Sequence, residues 1–426
     1  MNKISITTIN KCSFILFLVS IFLFRLPNFY LLPFIRNSFL TSQAISRILS
    51  GLVFLLNFSL YFVNKKRNIK PIIPNSITAS LVLLLFLIET ISIISAINIA
   101  AYFERYKDIV VGIIFFLNGY VYKNKIKTIY YVLLITLPIN IFYELSMYFI
   151  PEVLIKFGSI FIYEKHFNLV LFNISRGRTY IETFNEILLP FLFYMLNSNS
   201  LGKHTKIISY ILISLTLFCS YLSNWRIRVI MALFGCIISL VCFHKKNVKV
   251  IFFTITSIIF FGFIVNNISI RFVNLSFISR FIDDNVIKNT SSLATLDFRK
   301  EQILNAFELS KKSPLGVGLG NYYDNLSNNF KQQDIIQGNS EDSSALLFVH
   351  NIFGSILVET GIVGFVVFTL LILCWGIFDF IKLRLSSAEA KVPILSFWIL
   401  FLFALFNPVN IGAFQVLFLL LRGLII

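Results

Sequence analysis

The sequence predicts an all-α, polytopic membrane protein of about twelve transmembrane helices, with a long loop containing short helices before the tenth span. Three observations carry this. Hydrophobic residues make up 57% of the chain, and the mean hydropathy of +0.83 exceeds what a water-soluble fold needs for its core. Apolar runs of membrane-crossing length recur along the chain. The basic residues gather at alternate junctions between those runs.

The apolar runs cover 13–35, 38–63, 75–98, 108–122, 128–150, 183–198, 207–222, 228–243, 249–268, 349–378, 392–407 and 409–426. They divide the chain into spans one to nine over 1–268, with a first external loop at 151–182, a large external loop at 269–348, and spans ten to twelve over 349–426. The formal charge of +17 would suggest a nucleic-acid partner in a soluble protein. Its distribution excludes that reading. Lys65, Lys66, Arg67 and Lys70 follow span two, Lys123, Lys125 and Lys127 follow span four, and Lys203 and Lys206 follow span six. Lys245, Lys246 and Lys249 follow span eight, and Lys382, Arg384 and Lys391 follow span ten. Positive junctions stay in the cytoplasm, so both termini are expected there and the odd-numbered junctions outside.

The start of the chain, with Lys3 and Lys11 before an apolar run and no small-residue cleavage site, reads as an uncleaved first helix. Cys12, Cys219, Cys236, Cys242 and Cys374 all fall in spans, so no disulfide staples the external loops. Arg25 and Arg47 lie within or near spans one and two and read as snorkelling residues. Glu89 stands as the one firm intramembrane acid and reads as an interhelical polar contact.

The first external loop carries Arg176, Arg178 and Glu182. Arg-Gly-Arg sets two guanidiniums on a flexible backbone, an arrangement suited to gripping phosphate. Spans seven and eight meet at Ser223 to Arg228, where Arg226 and Arg228 lie on the side that the positive-inside bias keeps poor in cations.

The large external loop is about eighty residues long, a length uncommon for a loop without a function. Helical spacing of Ile303, Ala306, Phe307 and Ser310 predicts an interfacial helix over 298–312, with Arg299 on that same face. Ser313-Pro314 ends it. Gly316, Gly318 and Gly320 then form a turn whose backbone can approach a ligand closely. No strand precedes this turn, so it is not a dinucleotide fingerprint. After a polar run, His350 and Asn351 stand where the loop becomes span ten.

Phosphate-gripping arginines and a histidine on the external membrane surface fit group transfer from a lipid diphosphate. The diphosphate is already a good leaving group. Cations neutralise the charge that develops on it, and a histidine accepts the proton of the attacking hydroxyl. Such a reaction needs no nucleotide or other cofactor. The sequence has no HExxH, CxxC or DxD, and Asp283-Asp284 and Glu341-Asp342 read as solvated loop acids, so no metal site is expected. A GxSxG elbow is absent as well. A membrane transporter is the less favoured alternative: it calls for paired broken helices and midplane charges in related halves, and the sequence offers Glu89 without matching halves.

The stretch FRKEQILNAFELSKKSPLGVGLGNYY, with VHNIFGSILVETGIVG after it, resembles the O-antigen ligase and O-antigen polymerase family. The likeness rests on Arg299, on Pro314-Leu315-Gly316-Val317-Gly318, on His350-Asn351, and on Glu359 with Gly361 and Gly364. Leu222 to Arg226 resembles the family's arginine after a serine-containing turn, with Trp225 where a serine is more usual, which leaves Arg226 and Arg228 as alternatives. The resemblance implies a GT-C-like fold and a metal-independent glycosyltransferase with an undecaprenyl diphosphate-linked oligosaccharide as donor. It implies His350 as catalytic, Arg299, Arg226 and Arg228 as donor diphosphate ligands, and Arg176, Arg178 and Glu182 on donor or acceptor. Asn351, Glu359, Gly316 and Gly318 are expected to support them. The implied setting is the bacterial inner membrane, with a periplasmic active site, membrane lipids around it, and a chain-length regulator and flippase as partners. Glu182 to Asn185 is similar to a glutamate-proline-x-asparagine segment of the polymerases, without its proline, and favours polymerase over ligase.

Overall fold

Lipid offers no hydrogen-bond partner to a bare peptide group, so an apolar chain folds into helices that satisfy their own backbone. A computed structural model of this chain describes residues 4–31, 38–63, 77–175, 184–198, 201–223, 226–243, 292–326, 349–407 and 412–426. These form helices joined by short turns, with isolated bridges at Phe29–Ile162 and Tyr30–Thr41 as the extended pairings. Among the described residues, seven helices are long and apolar enough to cross a membrane, and the shorter apolar helices Ile227–Phe243 and Ala413–Ile425 accompany them. Span nine, 249–268, lies outside the described residues.

The first half comprises α1 (Ile4–Arg25), α2 (Ser42–Val63), α3 (Ile77–Ile91), α4 (Ile99–Val121) and α5 (Ile126–Phe149). Next come α6 (Pro151–Phe161), α7 (Glu164–Ser175), α8 (Leu189–Asn197), α9 (Lys203–Leu222) and α10 (Arg226–Phe243). The last group is α11 (Ser292–Lys312), α12 (Ile352–Leu385), α13 (Ala388–Phe406) and α14 (Gly412–Ile425). Consecutive crossing helices run antiparallel, as contacts such as Ser20 with Ser46 and Ser13 with Asn57 require of α1 and α2, whereas α4 and α14 run parallel. The ends of α1, α3, α5, α9 and α13 therefore meet the starts of α2, α4, α10 and α12 at one end of the bundle. That end carries the polar groups described below. Along α12, Ile362, Val363, Val366, Leu370, Leu373 and Ile377 are exposed at helical spacing, a stripe suited to lipid.

Several expectations need correction. Span three does not run to 98: α3 stops at Ile91, a 3₁₀ turn follows, and the Asn98 side chain caps α4 by accepting from Ala101 N at 3.1 Å. Helix α4 begins at Ile99 rather than 108, because Glu104, Arg105, Lys107 and Asp108 hid its first turns from a hydropathy reading. Span six is a 3₁₀ turn, Asn185–Leu188, followed by α8 of 9 residues. At 1.5 Å per residue, such a helix reaches only about half the ~30 Å hydrocarbon core. It is buried within the bundle instead. Within 151–182, where the sequence predicts no element, lie α6 and α7. Glu89 is not the sole intramembrane acid, since Glu144, Glu186, Glu359 and Asp379 are also buried. Arg25 does not snorkel: it is 2% exposed.

The packing of α4 against α14 is close. It depends on Gly112, Gly119 and Gly423, where any side chain would press on the opposite helix. A Cβ on Gly423 would overlap the Phe116 carbonyl. The substitution Gly423→Ala is therefore expected to destabilise the bundle by about 1–3 kcal/mol through overpacking, read as a lower unfolding midpoint of the detergent-solubilised protein. At the end of the bundle away from the polar groups, Arg422 Nη1 bonds Asp379 Oδ2 at 2.6 Å and its guanidinium lies 4.3 Å from the Trp375 ring centroid.

Candidate functional site

The site is built on the junction of α11 with the start of α12. Gln302 of α11 is fully buried, and its Oε1 lies 2.8 Å from His350 Nδ1 and 3.3 Å from the His350 backbone nitrogen. Arg299 stands three residues earlier on α11, hence on the same face, and is half-buried. The buried face of α11 thus runs through Arg299, Gln302 and Ala306, whereas Ile303, Leu304 and Phe307 are exposed. The predicted face was half right. Ala306 and Arg299 belong to it, but Ile303 and Phe307 offer apolar surface on the other side, as an interfacial helix does toward lipid.

Asn351 anchors the histidine. Its Oδ1 accepts from Phe353 N at 2.9 Å and Gly354 N at 3.1 Å, capping α12, while its Nδ2 donates to the Leu405 carbonyl at 2.9 Å. His350 is therefore tied both to its own helix and to the last turn of α13.

The glycine-rich turn packs against the start of α12. It fills a break in a helix. Helix α12 is interrupted at Gly361, with φ 71° and ψ −170°, which strands the carbonyls before it and an N–H after it. The turn supplies the missing partners. Val317 N donates to Val358 O at 2.8 Å, Gly318 N to Glu359 O at 3.1 Å, and Ile362 N to Pro314 O at 3.0 Å. Gly320 N donates to Glu359 Oε1 at 3.1 Å, and Arg105 Nε lies 3.8 Å from Glu359 Oε2. Asn321 locks the turn to the α3–α4 connection, accepting from Asn98 N at 2.6 Å. Ala306, Val317, Tyr322, Leu326, Val349 and Val358 pack into a small apolar cluster beneath. Tyr322 is buried in it, and burial pushes its phenol above the ordinary range.

A second polar assembly surrounds Arg228, which is 1% exposed. Its Nη1 and Nη2 reach Glu144 Oε2 and Oε1 at 3.0 and 3.2 Å, and its Nε reaches Glu186 Oε1 at 2.7 Å. Ser220 Oγ donates to Glu186 Oε1 at 2.7 Å, and Asn185 Nδ2 donates to Glu144 Oε1 at 3.1 Å. Arg25 Nη2 donates to Asn185 Oδ1 at 3.1 Å. Two arginines and two glutamates thus compensate one another inside the bundle.

Both assemblies abut the last turns of α13. The Phe403 ring meets Phe184, beside the Glu186 turn, with centroids 4.9 Å apart, and Leu405 receives the Asn351 bond. A cavity of about 70 Å³ lies nearby, lined by Glu89, Arg105, Ile352, Ile356 and Trp375 among others. Among the described residues, His350, Arg299 and Arg228 do not line it. Sequence reading singled out Arg299, His350, Asn351, Glu359, Gly316 and Gly318, and all of them stand around the α11–α12 junction. Arg226 opens α10, though its side chain lies outside the described residues. Arg176, Arg178 and Glu182 lie outside them too. Gln302, Arg105, Glu144 and Glu186 went unnoticed. The usable signal for the acids was charge standing inside otherwise apolar windows, the property that drew attention to Glu89.

Residues 211–369 match the family model described as O-Antigen ligase, a segment running from within α9 to within α12. It includes Arg226, Arg228, Arg299, the glycine-rich turn and His350, the same region that carries the sequence resemblance. No curated protein matches the chain at a significant level.

Proposed function

We propose that this chain, carrying the O-antigen ligase family segment, is a surface-polysaccharide polymerase. It moves a glycan from undecaprenyl diphosphate onto a lipid-linked repeat unit at the periplasmic face of the inner membrane. The observation that carries this reading is the hydrogen-bonded placement of His350 against α11, one helical turn from Arg299. In this reading His350 is a base and Arg299 a phosphate-gripping cation at one end of the bundle, where a lipid-linked substrate would arrive.

In this mechanism the acceptor hydroxyl oxygen attacks the anomeric carbon of the donor sugar. The bond from that carbon to the diphosphate oxygen breaks, and the lipid diphosphate departs with the bonding pair. His350 takes the hydroxyl proton. Arg299 neutralises charge on the leaving diphosphate. Of the two α10 arginines, Arg226 is the better donor ligand, because Arg228 already spends its guanidinium on Glu144 and Glu186. Arg176, Arg178 and Glu182 assist donor or acceptor. A metal ion has no part in the reaction, since the cations that hold the leaving group belong to the protein. A chain-length regulator and a flippase are the expected partners.

The family description favours one second reading, a ligase that delivers the glycan to lipid A–core. Products separate the two. Deleting a polymerase leaves core bearing one repeat unit, whereas deleting a ligase leaves long polymer on the lipid carrier. The variant His350→Ala, returned to the deletion strain at wild-type abundance, is expected to lower polymer formation by about 10²–10⁴-fold. Full-length polymer made at the normal rate by that variant would remove the histidine from catalysis.

A further inference from the structure

Gln302 serves no purpose that a helix facing water or lipid would require. It is a polar side chain with no exposed surface, and it meets His350 twice through one oxygen. A backbone N–H can only donate, so the amide atom that faces the His350 nitrogen is the oxygen rather than the NH₂ group. That oxygen can only accept, so the ring nitrogen 2.8 Å away must be the one that carries hydrogen. The neutral imidazole is therefore held as the Nδ1–H tautomer, with its lone pair on Nε2.

We infer that Gln302 is a positioning residue that sets the tautomer and the ring orientation of His350, presenting Nε2 as the proton acceptor. The inference rests on the proposed role of His350 as base. The paired hydrogen bonds explain why one oxygen suffices. The backbone contact fixes where the amide stands relative to the chain, and the Nδ1 contact fixes the ring relative to the amide. Tyr322 Oη, 3.4 Å from the Gln302 carbonyl, and Ala306, packed one turn further on, hold this part of α11 in place. The same contact ties Arg299 to the histidine, because Arg299 and Gln302 share one helical face. Without the amide, Nδ1 loses its acceptor and the ring is free to hold its proton on Nε2, so that Nε2 no longer accepts the hydroxyl proton.

The test uses the full chain in lipid nanodiscs, with histidine ring nitrogens labelled by ¹⁵N and the His350 signal assigned by its disappearance in His350→Gln. Above the titration of the ring, the wild type is expected to give the Nδ1–H pattern. In Gln302→Leu, which keeps the side-chain volume, the population is expected to move toward Nε2–H, and transfer by the complemented strain to fall at least tenfold at equal protein abundance. In Gln302→Glu the acceptor oxygen is retained, so the Nδ1–H pattern persists. The added negative charge favours the imidazolium, so the acidic limb of the rate profile moves to higher pH. A wild-type ring in the Nε2–H form, an unchanged ring signal in Gln302→Leu, or wild-type transfer by Gln302→Leu alongside an inactive His350→Gln would each overturn the inference. An active His350→Gln would instead refute the base role on which the inference rests, while the ¹⁵N pattern would still report whether Gln302 sets the tautomer. If Gln302→Leu does not accumulate, the ring signal of Gln302→Glu decides the matter: the Nδ1–H pattern is expected there, and an Nε2–H pattern beside the retained acceptor oxygen would overturn the inference.

Discussion

Replacing Arg228 with methionine should destabilise the folded protein by about 3–5 kcal/mol, because it strands buried carboxylates that have no route to water. Arg228 is 1% exposed and gives all three guanidinium nitrogens to Glu144 and Glu186. Without it those two acids face each other with Arg25 as the remaining cation of the cluster. The measurement is the unfolding midpoint of the detergent-solubilised protein, with abundance in the membrane as a second reading. Arg228→Met combined with Glu144→Gln restores neutrality, since Arg25 and Glu186 remain as one cation and one anion. The double variant should regain a large part of the loss, a coupling that only groups in one network display. The alternative outcome is equally informative. If Arg228→Met unfolds like the wild type yet makes no polymer, Arg228 contacts substrate, and the carboxylates hold it ready for the diphosphate.

The contrast between the two polar assemblies indicates what a sequence can reveal about such a protein. The α11–α12 junction was legible because its parts are punctuated locally. Ser313-Pro314 stops a helix, glycines mark a turn, and His350-Asn351 begins an apolar run whose asparagine is the cap. Each is a short-range signal with a short-range cause. The Arg228 assembly draws Arg25 from α1, Glu144 from α5, Glu186 from the 3₁₀ turn before α8 and Arg228 from α10. Nothing in the spacing of these residues announces their meeting. A hydropathy window also averages one acid among many apolar neighbours, which is why Glu144 passed unremarked inside a span. The face of α11 was misread for a related reason. Ile303 and Phe307 look like core residues when burial is judged against water. In a membrane protein they can face lipid, and the buried position goes to polar Gln302. What the glycine turn approaches was also beyond local reading, since its partner is a helix break roughly forty residues on, which helical periodicity does not mark.

That break gives the second large effect. Gly361→Ala is expected to remove most activity and to lower abundance, whereas Gly376→Ala on the same helix should be tolerated. At φ 71° and ψ −170° the backbone of Gly361 occupies a region essentially reserved for glycine, and forcing another residue there costs on the order of 1–3 kcal/mol. The added Cβ would also overlap the Pro314 carbonyl and crowd Gly316 N and Leu315 C. At Gly376 the nearest atom to a new Cβ is Trp398 Cη2 at 3.9 Å, an ordinary contact, and alanine is about 1 kcal/mol the better helix former. The two variants therefore separate the effect of a methyl group from the effect of closing the break. Gly316 faces Gly361 reciprocally, since its own Cβ would lie 2.5 Å from Glu359 O and 2.6 Å from Gly361 N. Pushing the two apart releases the turn, and with it the end of α11 that the turn holds. Arg299 and Gln302 would then lose their register against His350, although neither residue was changed. Two readings check this. Polymer made per molecule of Gly361→Ala should fall further than its abundance, and protease should cleave 313–321 sooner than in the wild type. Equal losses of polymer and abundance, with cleavage unchanged, would mean that the break only completes the fold and does not hold α11 to the site.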